Sequence, residues 1–181
     1  MPAGEAIKII EGYELRPITK QEYEAQYNQS YKDVFQSSVY EYPPAPVVPL
    51  EGRRVFTFGI FHGDEVVGWH RARQADERTI NMSVTGLLPA HQGKGIYTRL
   101  LPLLLEHYRE AGFTFVTSQH QPTNNAVIIP KLRAGFVIQG MSMRRAGMMV
   151  QLLYSFDKDY CHYLEELCGH KTSEPTHLGE Q

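Results

Sequence analysis

The sequence predicts an α/β (α+β) protein in which a mixed, mostly antiparallel, twisted sheet of about seven strands carries helices on both faces. Two observations predict this class. Hairpin patterns occur towards both ends of the chain, and strand–helix–strand units lie between them. The 181 residues, 42% of them hydrophobic and 21% charged, supply one sizeable core. We expect one domain over residues 1–156, followed by an amphipathic helix and a tail over residues 157–181.

The first predicted elements are a short strand within Gly12–Thr19 and a helix over Thr19–Ser38. Thr19 and Glu22 have the spacing of a capping box, and aromatic residues then recur at near-helical intervals. Four prolines between positions 43 and 49 exclude a regular helix or central strand there. We therefore expect an ordered loop after the first helix.

The later elements begin with a hairpin, whose strands are Val55–Phe61 and Val66–Arg71. A strand with clean alternation follows, with an apolar face of Ile80, Met82 and Val84 and a polar face of Thr79, Asn81, Ser83 and Thr85. The remaining elements are a helix, a buried-type strand, a short helix, a second hairpin and a terminal helix, at Gly95–Ala111, Phe113–Gln119, Asn124–Gly135, Phe136–Phe156 and Asp157–His170.

The composition restricts the classes of partner that we expect for this protein. The formal net charge of −2 provides no basic field, so we expect neither a nucleic acid nor a membrane partner. Cys161 and Cys168 lie two helical turns apart, about 10 Å, which is too far for a disulfide. Nothing resembles a metal-binding cysteine set, and we expect no metal. Without a signal-like or membrane-spanning segment, we expect a cytoplasmic protein, with a homodimer left open.

The turn Gln92-Gly93-Lys94-Gly95-Ile96-Tyr97 lies between the alternating strand and a leucine-rich helix. The first N–H groups of a helix lack internal partners and its dipole makes that end positive, while glycines let the backbone approach a ligand. Lys94 and Arg99 add positive charge. These features predict a phosphate or pyrophosphate site; a plain strand-to-helix turn is the structural alternative. The spacing is neither that of a P-loop nor that of a dinucleotide fingerprint.

The turn resembles the acetyl-CoA signature of the GNAT superfamily of N-acetyltransferases, Gln/Arg-x-x-Gly-x-Gly/Ala. The segment from Asn124 to Gly135-Phe136 resembles the second family motif, and the element order is similar from Tyr13 to Phe156. Tyr97 departs from the usual glycine or alanine. The resemblance implies a GNAT-like sheet and transfer of an acetyl group from acetyl-CoA to a primary amine of an unidentified small-molecule or peptide acceptor, by direct attack in a ternary complex.

The resemblance also implies which residues hold the cofactor. Backbone amides from Gly93 to Thr98 would hold the CoA pyrophosphate, and the strand end Gly86–Leu88 would pair with the pantetheine arm and polarise the thioester carbonyl. Asn124 would contact the pantetheine or adenosine side, with a helix cap as its structural alternative. The implied cofactor-binding residues are Gly86, Leu87, Leu88, Gln92, Gly93, Lys94, Gly95, Ile96, Tyr97, Thr98 and Asn124.

The sequence does not identify a general acid or base. Many family members carry a catalytic tyrosine at the position that is Lys131 here, and the position where some carry a carboxylate is Gln119. The candidate substitutes are His120, Tyr97 and Tyr154. The structural alternatives are an exposed loop position for His120, helix packing for Tyr97 and a position at the core edge for Tyr154. Lys131 as an acid is a further possibility, and its structural alternative is a solvated charge. Catalysis by positioning, with solvent protons, is also open.

The acceptor site implied by the resemblance lies across the sheet from CoA. Its candidate residues are Tyr27, Tyr31, Tyr40, Trp69, Asn81 and Ser83. Aromatic rings suit a ligand with apolar and polar parts, or a cationic amine; core packing is the structural alternative. Two further functions stay open, a non-catalytic acyl-CoA-binding sensor and a transferase of a longer acyl group. The absence of P-loop spacing argues against an enzyme that acts on nucleotide phosphates.

Overall fold

The structure, a computed structural model, describes residues 6–35, 52–144 and 147–167. These ranges contain eight strands and four α-helices. In chain order they are β1 (Ile7–Ile10), β2 (Tyr13–Pro17), α1 (Lys20–Phe35), β3 (Val55–His62), β4 (Glu65–Gln74), β5 (Thr79–Leu87), α2 (Ile96–Glu110), β6 (Phe115–His120), α3 (Asn125–Arg133), β7 (Val137–Arg144), β8 (Gly147–Ser155) and α4 (Lys158–Leu167). No helix in these ranges is long and apolar enough to cross a membrane.

The eight strands form one sheet in the order β1-β2-β3-β4-β5-β6-β8-β7. β5 and β6 are parallel, and the other neighbouring pairs are antiparallel. The prediction of a mixed, mostly antiparallel sheet is confirmed. It missed β1, which is only four residues long and forms a hairpin with β2 through a turn that contains Gly12, a glycine with a φ of 78°.

α1 begins at the predicted capping box. The backbone N–H of Thr19 donates to Glu22 Oε2 at 2.7 Å, and the N–H of Glu22 donates to Thr19 Oγ1 at 3.2 Å. The predicted helix residues beyond Phe35, the proline-rich loop with Tyr40, and the predicted end of the last helix, including Cys168, lie outside the described residues. At the other end of the described chain, α4 packs the ring of Tyr160 on Phe115.

Helices cover both faces of the sheet, as predicted. On β4, Trp69 places its ring 6.0 Å from that of Tyr27 on α1, while the next residue, His70, hydrogen-bonds to Tyr108 on α2 at 2.6 Å. Because consecutive strand residues point to opposite faces, α1 and α2 lie on opposite sides of the sheet. α3 packs against α2 and so lies on the α2 side.

The core lies mainly between α2 and the sheet. The apolar stripe of α2 is buried against the central strands; its members are Ile96, Leu100, Leu101, Leu104, Leu105 and Tyr108. Burial of each leucine stabilises the fold by about 1.5–3 kcal/mol. This packing holds the N-terminus of α2, and therefore the glycine turn before it, at the end of β5.

β5 and β6 separate part of the way along their length. β5 pairs with β4 from Ile80 to Leu87, but with β6 only over Thr79–Asn81. β6 stays with β8 throughout, from Phe115 to His120. Beyond Asn81 the edge of β5 that faces β6 therefore has no strand beside it. A gap opens in the middle of the sheet.

The predicted alternation along β5 fails at Ser83. Arg71 pairs with Val84 and Ala72 with Met82, so Ser83 is the extra residue of a β-bulge. The bulge shifts the side-chain parity. Thr85, predicted opposite Met82, lies on the same side as Met82, where its Oγ1 is 2.7 Å from His70 Nδ1. A bulge depends on the partner strand, and alternation alone did not reveal it.

The close approach of β4 to β5 provides a stability test at Gly68. A Cβ on Gly68 would lie 2.5 Å from the carbonyl oxygen of Gly86 and 2.9 Å from Leu87 Cδ2. We expect Gly68→Ala to lower the free energy of unfolding by about 1–3 kcal/mol in urea titrations, because the strands must move apart. Gly140→Ala on β7, whose nearest atom is Gln151 Oε1 at 4.0 Å, is the control and should stay within about 1 kcal/mol. Equal stability of the two variants would contradict the strand packing.

Candidate functional site

The turn before α2 adopts the backbone of a ligand cradle. Gly93 and Gly95 have φ angles of 73° and 75°, and Gly95 is the N-cap of α2. L-residues rarely adopt this left-handed conformation, so both positions favour glycine. A Cβ on either would meet nothing within 4 Å, so the surface here is open. The N-cap provides no side-chain hydrogen bond, so the first N–H groups of α2 are available to an anion.

The neighbouring side chains fit this role in different ways. Gln92 Nε2 donates to the carbonyl of Leu87 at 2.9 Å, which ties the turn to the end of β5. Lys94, Thr98 and Arg99 are exposed, whereas the side chain of Ile96 is buried in the core and can offer a ligand only its backbone. The turn therefore offers a ligand main-chain groups, with positive charge nearby.

The strand end Gly86–Leu88 is only partly available. The N–H of Leu88 donates to the carbonyl of Val67 at 2.8 Å, and the carbonyl of Leu88 accepts from the N–H of His91 at 2.8 Å. Both main-chain groups of Leu88 are thus in use, contrary to the expectation that its N–H would face the cofactor. The free edge of β5 ends before Leu88.

A cavity of about 480 Å³ fills the gap between β5 and β6. It is lined from the α1 side of the sheet by Tyr27, Tyr31 and Phe35, and from the α2 side by Tyr97, Val127 and Lys131. It therefore passes through the sheet from one face to the other. The strands and loops contribute Met82, Ser83, Val84, Thr85, Gln119, His120, Gln121, Asn124 and Met149.

The cavity brings together many of the candidates named from the sequence, which are Tyr27, Tyr31, Ser83, Tyr97, His120, Asn124 and Lys131. The cofactor candidates at positions 86–88, 92–96 and 98 do not line it, and neither do three of the catalytic and acceptor candidates. Trp69 is fully buried beneath the α1 rings, Asn81 donates to Thr117 Oγ1 at 3.1 Å, and Tyr154 packs between Phe136 and Phe156. The remaining acceptor candidate, Tyr40, lies outside the described residues.

Two candidates at the cavity have informative surroundings. Asn124 is the N-cap residue of α3, but its side chain makes no capping hydrogen bond and is exposed, so it can reach a ligand. Tyr97 is half-buried and lines the cavity, and burial raises the pKa of its hydroxyl. Its ring thus occupies the cavity wall, although the residue stands where the family motif has a glycine or alanine.

His120 is not an exposed loop residue, which was the structural alternative to a catalytic role. It ends β6, is partly buried, and its Nε2 lies 3.1 Å from Ser118 Oγ. Burial, and secondarily the charge of Lys131, lower its pKa to about 3. The imidazole is therefore neutral near pH 7.

Lys131 is buried rather than solvated. Its exposed fraction is 1%, its Nζ lies 3.5 Å from Met82 Sδ, and it stands 4.9 Å from the centre of the Phe136 ring. Burial lowers its pKa to about 7. Among the described residues no carboxylate forms an ion pair with it. The sequence held one signal of this, since Lys131 shares a helix face with the apolar Ile128 three positions earlier.

A second buried polar group supports the gap. His70 is fully buried, with Nδ1 2.7 Å from Thr85 Oγ1 and Nε2 2.6 Å from the hydroxyl of Tyr108. Burial lowers the pKa of His70 to about 3, so one ring nitrogen donates and the other accepts. This chain of hydrogen bonds ties the unpaired half of β5 to α2.

Comparison with known proteins agrees with this architecture. Residues 13–136 match the model of the acetyltransferase (GNAT) family. The match extends over more than half of the chain, so the protein is an acetyltransferase by class. It belongs to the GNAT family, as the two motifs predicted. No curated protein matches the chain by sequence.

Solved structures share the fold. An acetyltransferase from Salmonella typhimurium that modifies the N-terminal serine of ribosomal protein L7/L12 has 18% identity and a TM-score of 0.63, with 84% of this chain and 100% of that chain covered. RimL, the ribosomal L7/L12 α-N-protein acetyltransferase, in complex with coenzyme A has 16% identity and a TM-score of 0.67, with 84% and 99% covered. The yncA protein of Salmonella typhimurium with acetyl-CoA has 17% identity and a TM-score of 0.62, with 80% and 94% covered.

The buried amine of Lys131 makes stability depend on pH. Its pKa is about 7 in the folded protein against 10.5 ordinarily, so between these values only the unfolded chain keeps the proton. Stability should therefore rise with pH by up to about 1.4 kcal/mol per pH unit relative to Lys131→Met, which lacks the group. Below about pH 7 the charge is buried in full, and Lys131→Met should be the more stable protein. Urea titrations across this range measure the difference.

Lys158→Met, which removes an exposed lysine on α4, is the matched control. The stability difference between this variant and the wild type should not change with pH over the same range. If Lys131→Met behaves like Lys158→Met, the amine of Lys131 is solvated.

Proposed function

We propose that this protein transfers the acetyl group of acetyl-CoA to a primary amine, with both substrates bound at once. The observation that carries the proposal is the cavity through the sheet, which joins the α2 side to the α1 side. Acetyl-CoA would supply the activated acyl group. Membership of the GNAT family supports this reaction, as does the fold shared with RimL in complex with coenzyme A and with yncA with its cofactor acetyl-CoA.

The glycine turn would hold the pyrophosphate. The main-chain N–H groups from Gly93 to Thr98 stand at the positive end of α2, and Lys94 and Arg99 are exposed beside them. The fit of the pyrophosphate to the turn depends on Gly95, because a side chain at this position would enter the open space over the turn. Gln92 would act indirectly, by holding the turn against Leu87.

The free edge of β5 would hold the pantetheine arm. Between Asn81 and Leu88 this edge lacks a neighbouring strand, and an extended ligand can add to it as a strand does. The Leu88 N–H donates to Val67 on β4, and N–H groups alternate between the two edges of a strand, so the N–H of Leu87 is the one that faces the free edge and is the candidate to polarise the thioester carbonyl. Asn124, on the opposite wall of the cavity, would contact the same arm.

The acceptor amine would enter from the α1 side. Tyr27, Tyr31 and Phe35 form a continuous row of rings there, with neighbouring centres 4.9 Å apart for the two tyrosines and 5.0 Å apart for Tyr31 and Phe35. Such a wall suits a small-molecule or peptide amine with an apolar portion. Because donor and acceptor reach the gap from opposite faces, they can be held together, which raises the rate of a direct attack.

Binding of acetyl-CoA is the first test. Acetyl-CoA at about a hundred times its dissociation constant should stabilise the protein by about 2.7 kcal/mol and raise Tm by several degrees, whereas ATP should not. Gly95→Ala should weaken binding at least about tenfold, because a left-handed residue with a Cβ costs about 1–2 kcal/mol and distorts the cradle. Isothermal titration of acetyl-CoA into both proteins measures the change.

Gly112→Ala is the matched control, at the opposite end of α2. Gly112 also has a positive φ, 86°, and open space at its Cβ, so the strain is similar but lies away from the turn. Gly112→Ala should lose stability and keep its affinity for acetyl-CoA. Equal loss of affinity in both variants would show that the turn does not hold the ligand.

Thiol release from acetyl-CoA with a panel of primary amines tests transfer. Once an acceptor is found, Tyr31→Ala should raise KM for the amine about tenfold and leave KM for acetyl-CoA unchanged, since Tyr31 is 36% exposed on the acceptor side only. Tyr163→Ala, 53% exposed on α4, is the control. Turnover without a protein partner would exclude a non-catalytic sensor. Faster release from a longer acyl-CoA would instead identify a different acyl donor.

A further inference from the structure

We propose that Lys131 is the proton donor to the sulfur that leaves during acyl transfer. The proposal rests on the proposed function, because it assigns one step of that reaction to one residue. Its starting point is a lysine with an exposed fraction of 1% that has no carboxylate partner in the described part of the chain. A buried unpaired charge costs stability, so the fold itself does not require it.

The location of Lys131 sets its role. Its Nζ contacts Met82, whose side chain lies on the same side of the sheet as Thr85 and His70, which is the α2 side. The glycine turn lies at the N-terminus of α2, and the tyrosine row lies on the other side. Lys131 therefore reaches the cavity from the side of the acyl donor, and the attacking amine comes from the other. This places it with the leaving group rather than with the nucleophile.

The surroundings allow Lys131 to give up a proton. The thioether of Met82 and the ring of Phe136 solvate an ammonium poorly, and burial lowers the pKa of Lys131 to about 7, so both protonation forms occur near neutral pH. The titratable groups that face it from other elements are His70 on β4, His120 on β6 and Tyr97 on α2. Both histidines are neutral near pH 7, and burial raises the pKa of Tyr97, so none of them carries the charge instead.

The step balances without a further reactant. The neutral acceptor nitrogen forms a bond to the acyl carbon as the C–S bond breaks, and Lys131 Nζ gives one proton to the departing sulfur. The nitrogen loses one proton to solvent as the amide forms. Lys131, now neutral, takes up one proton from solvent, which restores the charged form for the next turnover.

The first experiment observes Lys131 without turnover. Nitrogen-15-labelled lysine resonances are titrated with pH, and the signal absent from Lys131→Arg identifies residue 131. We expect a midpoint near pH 7, well below the ordinary lysine value of 10.5. We also expect this signal to shift when CoA is added and not when desulfo-CoA, which lacks the thiol, is added. Equal responses to both ligands would overturn the proposal, because the sulfur would then lie away from Nζ.

The second experiment measures rates with acetyl-CoA and a weakly basic amine that stays neutral over the pH range. Wild-type kcat should fall as pH rises above about 7, because the donor form is lost. Lys131→Met should lower kcat about 100-fold, remove this pH dependence and leave KM for acetyl-CoA within about twofold. Lys131→Arg, which keeps the charge but does not release a proton, should be as slow as Lys131→Met.

The outcomes separate the two proposals. Full activity of Lys131→Met, or of Lys131→Arg, overturns the proton donor while the transferase stands. Absence of wild-type turnover with every amine contradicts the proposed function, and the resonance experiment then decides whether Lys131 contacts the thiol. Lys158→Met should leave kcat and its pH dependence unchanged.

Discussion

The rest of the site depends on one constraint, which is that β5 and β6 make no ladder hydrogen bonds to each other beyond Asn81. β5 remains with β4 and β6 remains with β8, so neither strand can close the gap without breaking an established ladder. The bulge at Ser83 and the buried contact between His70 and Thr85 hold the free half of β5 in place. The unpaired main-chain groups along this edge would find partners in an extended ligand.

The same gap lies between two sets of features on opposite sides of the sheet. The α2 side carries the positive end of a helix, an open glycine turn and a buried amine, and the α1 side carries a row of aromatic rings. Under the proposed function, a charged donor and an amphipathic acceptor would therefore reach the gap from opposite sides of the sheet. Burial also sets the protonation states there: His70 and His120 are neutral near pH 7, and Lys131 alone among these three groups has a pKa near it. Low solvation therefore leaves Lys131 as the one of these three groups that changes its protonation near neutral pH.

The low sequence identity between this chain and the solved neighbours shows that many side chains can differ while the fold stays the same. The solved neighbours share the fold at 16–18% identity. The turn of this chain carries Gly93 and Gly95 at positive φ, because glycine adopts those angles most easily. It differs where side chains act: Tyr97 lines the cavity, and Lys131 stands where a tyrosine is frequent in the family. A ligand held by main-chain groups would tolerate such replacements, because every residue carries those groups.

Local patterns were enough to predict the sheet class, most of the elements, the capping box at Thr19, the glycine turn and the family, because alternation, helical periodicity and glycine conformation are local properties. Long-range contacts were needed to show that β1 joins the sheet, that the bulge returns Thr85 to the side of Met82 and that Leu88 is already hydrogen-bonded. They also showed that Lys131 is buried and His120 partly buried. Strand register and burial depend on residues far away in the chain. For the same reason the protonation of Lys131, which follows from burial among Met82 and Phe136, could not be read from the local pattern around it.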